Sequence, residues 1–235
     1  MGDAEHWRTA PKDLSLAENI VHVWRAELAN PSLELLSPDE RERAAQFHFD
    51  KDRNRYVGAR AILRQLAGRY ENVSPTELRF TYNAFGKPSL DASSLRFNTS
   101  HSANFALFAF TRTRNIGVDI ERIRPDFATR EIAARFFSET EVAALRALPE
   151  PAQSAAFFAC WTRKEALIKA HGSGLSLSLR KFAVSVDTPA RLLRTDFDPE
   201  AVRQWTLHEL FPGEGFVAAL AVEGSPERID CWRWE

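Results

Sequence analysis

Hydrophobic and polar residues along the chain predict short strands and a few long helices. Alternation of apolar and polar residues over Asn19–Ala26 predicts a strand. Helical spacing from Ser37 to Gly68 predicts a helix that begins with a serine cap followed by proline. Three further strands are predicted after it, at Leu78–Tyr82, Leu95–Asn98 and Phe105–Thr111.

The second half of the chain repeats this order. A strand is predicted at Ile116–Glu121, and helices follow at Glu131–Phe136, Thr140–Leu148 and from Pro149 to Gly172. The remaining predicted strands are Lys181–Val186, Gln204–Leu210, Gly215–Val222 and Arg228–Trp234. Arg60–Arg64 also resembles Glu165–Lys169, and each segment is closed by a glycine, which supports two related halves.

Composition narrows the classes of function. The 235 residues are 44% hydrophobic, enough for a packed core, and the net charge of −1 gives no overall attraction to nucleic acid or anionic membrane. The longest apolar runs are strand-sized, and no apolar run follows Met1, so neither a membrane span nor a signal peptide is expected. The two cysteines lie far apart, which fits a reducing intracellular compartment.

Charge is uneven along the chain. Between Arg41 and Arg69 stand eight lysines and arginines but only three acidic residues. This pattern is typical of a solvated helix face, or of a site that binds an anion.

Two acidic residues share one face of the strand at Ile116–Glu121. Asp119 and Glu121 are two residues apart, so their carboxylates lie roughly 7 Å apart and repel by roughly 2–3 kcal/mol. A divalent cation between them would remove this cost, and hard oxygen ligands suit Mg²⁺. The alternative is an exposed edge where Arg122 and Arg124 relieve the repulsion.

The long helix that ends at Gly172 carries three further candidates. Lys164 falls at the centre of the apolar stripe, Glu165 lies at its edge, and Lys169 follows Glu165 by one turn. A plain Glu–Lys helix pair would account for Glu165 and Lys169, but it leaves Lys164 without an explanation.

Two polar segments of the first half could bind phosphate. Hydroxyls, an amide and an imidazole are concentrated at Phe97–Ser102, which includes Ser100 and His101, and Gly86-Lys87-Pro88 forms a turn with a cation. Each could also be an ordinary polar turn. Together with the carboxylates and lysines, they are the groups needed for transfer at a diphosphate.

Four ordered motifs carry a resemblance to a known family. Gly86–Pro88, Phe97–Ser102, Gly117–Glu121 and Trp161–Leu175 together resemble the Sfp-type 4′-phosphopantetheinyl transferases. The resemblance implies an α+β fold of two similar α/β halves packed as a pseudo-dimer, which we divide at residues 1–115 and 116–235. The length suits the monomeric branch of this family.

The resemblance also implies roles for individual residues. The magnesium ligands would be Asp119, Glu121 and Glu165, and Lys164 and Lys169 would lie near the coenzyme A diphosphate. The other coenzyme A contacts would be Ser100 and His101 at the phosphates, Lys87 and Pro88 at the adenine end, and Arg43 and Arg55 at the 3′-phosphate. Glu40 stands where some members carry a basic residue.

The implied reaction is attack by a carrier-protein serine on the β-phosphorus of coenzyme A, with 3′,5′-ADP leaving. We expect Glu165 to act as the base, directly or through a metal-bound water, with Glu121 as the rival, and Lys169 to assist the leaving phosphate. The partner would be an acidic apo acyl or peptidyl carrier, bound transiently at Asp126–Phe137 by a cytoplasmic monomer. The competing functions are a coenzyme A-binding module without catalysis and a metal-dependent phosphohydrolase.

Overall fold

A computed structural model describes residues 7–29, 31–125, 129–174, 177–198 and 200–235. The helices are α1 (Pro38–Ala45), α2 (Asp50–Glu71), α3 (Thr129–Phe136), α4 (Glu139–Ala147), α5 (Glu150–His171) and α6 (Ala201–Gln204). The strands of the first half are β1 (Arg8–Thr9), β2 (Ile20–Glu27), β3 (Phe80–Tyr82), β4 (Pro88–Leu90), β5 (Leu95–Ser102) and β6 (Phe105–Arg112). The later strands are β7 (Ile116–Arg122), β8 (Phe182–Val184), β9 (Leu192–Thr195), β10 (Trp205–Leu210), β11 (Phe216–Glu223) and β12 (Arg228–Arg233).

Two sheets pack face to face, and each carries one long helix on its outer side. The larger sheet has the strand order β1-β12-β2-β6-β5 and packs on α2, whereas the smaller has the order β10-β11-β7 and packs on α5. Apolar side chains of both sheets, such as Val23 and Val118, share the core between them. The predicted α+β fold with two similar halves is confirmed.

The two halves repeat one buried ion pair. Glu40 in α1 and Glu141 in α4 each accept the backbone N–H of the serine three residues earlier, as in a capping box. Each glutamate is also paired with a cation of the long helix, Arg64 at 2.6 Å and Lys164 at 2.7 Å. Because α2 covers residues 50–71 and α5 covers 150–171, Arg64 and Lys164 are equivalent. The sequence echo, which aligned Arg64 with Lys169, was out of register.

Several predicted boundaries differ from the structure. The helix predicted from Ser37 to Gly68 is interrupted at Gln46–Phe49, because Phe49 is extended and α2 starts anew after it. The short strands β1, β4 and β9 had no periodic signal to reveal them. The last strand, β12, pairs in parallel with β2 and so joins the sheet of the first half. The division at residues 115 and 116 stays a prediction.

In the part of the chain that the structure describes, no helix is both long and apolar enough to cross a bilayer.

Candidate functional site

Strand β5 of the first half lies beside β7 of the second half and bonds to it through side chains. At every second residue, a β5 side chain accepts a backbone N–H of β7. The pairs are Asn98 with Val118 at 2.9 Å, Ser100 with Ile120 at 3.4 Å, and Ser102 with Arg122 at 3.1 Å. The two halves therefore meet along the strand that carries Asp119 and Glu121.

Asp119 is the most buried of the predicted acids, with only 4% of its surface exposed. Its Oδ1 accepts the Ser100 hydroxyl at 2.7 Å and the Lys169 ammonium at 2.6 Å. Its Oδ2 is buried and has no hydrogen-bond partner among the described residues. A buried acceptor left unpaired costs about 1–3 kcal/mol, so a cation at Oδ2 would be stabilising. The residues present therefore fit the hard cation that the sequence implies.

Glu121 and Glu165 lie close enough to Asp119 for their charges to interact. Burial, together with the charge of Asp119, raises the pKa of both carboxyls. The Ser102 hydroxyl donates to Glu121 Oε2 at 2.9 Å and opposes this rise. Within the described residues, no three His, Cys, Asp or Glu side chains are already gathered tightly enough to hold one metal ion. The three predicted ligands are therefore close to one another, but their carboxylates do not converge on one metal position.

Gly117 explains how α5 comes so close to β7. A Cβ atom at this position would lie 2.1 Å from the Ala166 carbonyl oxygen and 2.3 Å from the Ala170 nitrogen, both backbone atoms of α5. Only glycine permits this approach. Because Asp119 and Glu121 follow on the same face of β7, the contact brings them to the side of α5 that carries Glu165 and Lys169.

A cleft of about 240 Å³ opens beside these groups. Glu165 and Lys169 line one side of it, and the β3–β4 turn lines the other with Lys87 and Pro88. The remaining lining residues are Phe85, Gly86, Asn98, Thr99, Ile168, Gly172 and Gly174. Two lysines and a carboxylate thus face one cavity, which suits a ligand that carries phosphates.

Lys87 reaches from the turn toward the second half. Its Nζ donates to the carbonyl oxygens of Ile116 at 3.1 Å and Ala170 at 3.0 Å. Burial, with a smaller effect from the Arg96 charge, lowers the pKa of Lys87 to about 8.

The remaining predicted cations of the first half occupy different environments. Burial and the positive charges of Lys169 and Arg55 lower the pKa of His101, so both cations lie within electrostatic reach of the imidazole. Arg55 also contacts Asp52 at 3.5 Å.

The Arg43 guanidinium lies over the Tyr56 ring at 5.6 Å. Glu40 is buried between Arg60 and Arg64, which explains why an acid is accommodated there.

Lys164 has a different environment from the one its predicted role requires. Its side chain is fully buried, and Nζ donates to both Glu141 oxygens and to the Phe182 carbonyl, each at 2.7 Å. Because no part of the Lys164 side chain is exposed, a phosphate in the cleft could not reach its ammonium group. This geometry contradicts the predicted contact between Lys164 and the coenzyme A diphosphate. The charge in the apolar stripe is explained by an internal ion pair.

The predicted docking segment is divided between surface and core. Phe137 is fully buried, whereas Phe136 is partly exposed, with the Arg135 guanidinium 5.2 Å from its ring. Arg130 is exposed and pairs with Glu150 at 3.1 Å. Residues 126–128 of this segment, and Leu175 of the last motif, lie outside the described residues.

Sequence reasoning missed Asn98 and Ser102 as individual functional candidates. Both lie in the motif Phe97–Ser102, and with Ser100 they alternate along one strand. That alternation was the available signal that they share a face. Their contacts with β7 could not be anticipated without knowing that the two strands are neighbours.

Family profiles of known proteins match both halves of the chain. The 4′-phosphopantetheinyl transferase superfamily profile matches residues 115–221, and a profile for the N-terminal part of 4′-phosphopantetheinyl transferase matches residues 23–113. The chain belongs to the 4′-phosphopantetheinyl transferase superfamily. It is therefore a transferase that moves phosphopantetheine from coenzyme A to carrier proteins.

Curated members of the superfamily align along most of the chain. The 4′-phosphopantetheinyl transferase HetI of Nostoc sp. is 38% identical, over 97% of this chain and 98% of its own length. The 4′-phosphopantetheinyl transferase Sfp of Bacillus subtilis is 31% identical, over 86% of this chain and 90% of its own. A human L-aminoadipate-semialdehyde dehydrogenase-phosphopantetheinyl transferase is 28% identical, over 80% of this chain and 67% of its own length.

Proposed function

We propose that this transferase acts with Mg²⁺ held by Asp119, Glu121 and Glu165, and releases 3′,5′-ADP when a carrier serine attacks coenzyme A. The observation that carries this proposal is the buried, unpartnered Oδ2 of Asp119, with two further carboxyls whose pKa values its charge raises. When bound, the metal would neutralise negative charge on the diphosphate.

Glu165 is our candidate for the base that accepts the serine proton. Burial, followed by the charge of Asp119, raises its pKa, which brings the carboxyl closer to the range of an effective base at neutral pH. Within the described residues its carboxylate accepts no hydrogen bond, whereas Glu121 is already bonded to Ser102. Glu121 remains the rival candidate.

Lysines of the cleft would hold the diphosphate and steady the leaving group. Lys169 lines the cleft one turn after Glu165, and 28% of its side chain is exposed, so its ammonium group is accessible to charge that develops on the phosphate. Lys87 and Pro88 would contact the adenine end from the β3–β4 turn. Ser100 and His101 would contact the phosphates, and Arg43 and Arg55 the 3′-phosphate.

We place the carrier on the exposed side of α3. Arg130 and Arg135 would attract an acidic carrier, and Phe136 would give an apolar contact. Phe136 also packs edge-on against Trp161 at 6.1 Å, and Trp161 lies one turn before Glu165 on α5. We further propose that the enzyme works as a cytoplasmic monomer and binds its carrier transiently.

The test is incubation of the full chain with Mg²⁺, coenzyme A and a panel of apo carriers, followed by mass spectrometry of each carrier. Wild type should add one phosphopantetheine arm to at least one carrier. Glu165→Gln should slow this by about 100-fold or more, as loss of a general base does. Glu214→Gln, which alters an exposed loop, is the matched control and should keep wild-type turnover.

Other results would point to a different function or to a different base. Coenzyme A breakdown without any carrier would indicate the phosphohydrolase, and binding without transfer would indicate a binding module. Near-normal turnover of Glu165→Gln at saturating Mg²⁺ would exclude Glu165 as the base and turn attention to Glu121.

A further inference from the structure

The Ser102 hydroxyl, in the first half, joins a predicted metal ligand to the backbone of the second half. Ser102 Oγ donates to Glu121 Oε2 at 2.9 Å and accepts the N–H of Arg122 at 3.1 Å. Ser102 is at the end of β5, and Glu121 and Arg122 are the last residues of β7. The contact therefore spans the junction between the halves.

The Glu121 carboxylate needs such a restraint. A glutamate side chain has three rotatable bonds, and Asp119 lies two residues away on the same face with a repelling charge. Without a partner, the Glu121 carboxylate would be free to turn away from Asp119 and toward solvent. The Ser102 bond holds Oε2 and leaves Oε1 without a hydrogen-bond partner in the described part of the chain.

We propose that Ser102 is a positioning residue, which holds Glu121 in the orientation that the divalent cation requires. The inference rests on the proposed function, because it takes Glu121 as a ligand. It assigns to the first half a part in metal binding, although the three predicted ligands all belong to the second half. Partners of this kind are worth about 10–100-fold in metal affinity.

The chain provides a matched control in Ser93. Its hydroxyl donates to Glu71 Oε2 at 2.7 Å and accepts the backbone N–H of Leu95 at 2.9 Å, the same two bonds that Ser102 makes. Ser93 and Glu71 are partly buried, as are Ser102 and Glu121, but Glu71 pairs with Arg112 and is not a predicted metal ligand. Ser93→Ala therefore removes the same two kinds of hydrogen bond but leaves the predicted metal ligands and their partners unchanged.

The experiment measures Mn²⁺ binding to the full chain, from the EPR signal of the free ion, with coenzyme A present and no carrier. Mn²⁺ serves because it takes the same oxygen ligands as Mg²⁺. Ser102→Ala should raise the Kd for Mn²⁺ by about 10-fold or more, whereas Ser93→Ala and Ser102→Thr, which keeps the hydroxyl, should stay close to wild type. With an apo carrier, Ser102→Ala should need more Mg²⁺ for half-maximal rate but approach wild-type kcat at saturation.

Three outcomes separate the inference from the function on which it rests. If Glu121→Ala weakens Mn²⁺ binding but Ser102→Ala does not, Ser102 is not a positioning residue and the metal site stands. Equal losses in Ser102→Ala and Ser93→Ala would reduce the role of Ser102 to general stability. Unchanged Mn²⁺ affinity in Glu121→Ala would refute both the ligand and its positioning residue. Should Ser102→Ala fail to fold, Ser102→Cys, whose thiol is a weak donor, gives the same test.

Discussion

Lys164 offers a test of whether its charge serves the fold or the substrate. Replacement by methionine keeps an unbranched side chain as long as the lysine stem but removes the ammonium group that pairs with Glu141 and the Phe182 carbonyl. Removing one partner of a buried ion pair costs about 3–5 kcal/mol. Glu141 keeps the N–H groups of Ser138 and Val184, so we expect about 3 kcal/mol, at the lower end of that range.

This loss should be visible in equilibrium urea unfolding, because a whole domain is stable by only about 5–15 kcal/mol. The double variant Lys164→Met with Glu141→Gln should recover part of the loss, since no unpaired charge remains buried. At a temperature where Lys164→Met is folded, its Kd for coenzyme A should match wild type. Lys169→Met should behave oppositely, with weaker coenzyme A binding. The reasoning would be refuted if Lys164→Met kept wild-type stability within about 0.5 kcal/mol and lost coenzyme A affinity.

Two further predictions concern the contact between the halves. Because the pKa of Lys87 is about 8, its charge is lost as the pH rises through that value. The affinity for 3′,5′-ADP, measured by calorimetry, should therefore fall between about pH 7 and pH 10, and Lys87→Arg, which stays charged, should abolish the fall; equal pH profiles would contradict this. Gly117→Ala should unfold the protein or lower its Tm strongly, because its Cβ would meet α5 backbone at 2.1 Å. In Gly58→Ala the nearest atom lies 3.8 Å away, so Tm should be unchanged or higher, and similar Tm values for the two variants would refute the argument.

Local patterns were sufficient for much of the site. Alternation placed Asp119 and Glu121 on one face of β7, and helical spacing placed Glu165 and Lys169 one turn apart on α5. Each of these pairs lies within a single strand or helix, so its arrangement can be predicted from the sequence alone. The end of α5 at Gly172 was also predictable, because its backbone adopts the left-handed conformation that glycine favours.

Lys164 shows where such reasoning ends. A charge in an apolar stripe predicts a partner, but the pattern does not say whether that partner is a ligand or another side chain. Glu141 lies on a different helix, and only the packing of α4 against α5 brings them together. The Ser102–Glu121 bond was hidden for the same reason, since it depends on two strands of different halves being neighbours.

The position of β12 in the larger sheet has a consequence for how the protein is made. Arg228 pairs with Ile20, so β2 gains its parallel neighbour only after about 200 further residues have been synthesised. Until then the β2 edge that β12 will cover has no strand beside it, and exposed strand edges invite pairing with other chains. Chaperones that shield nascent chains should therefore matter most for this edge, during translation of the second half.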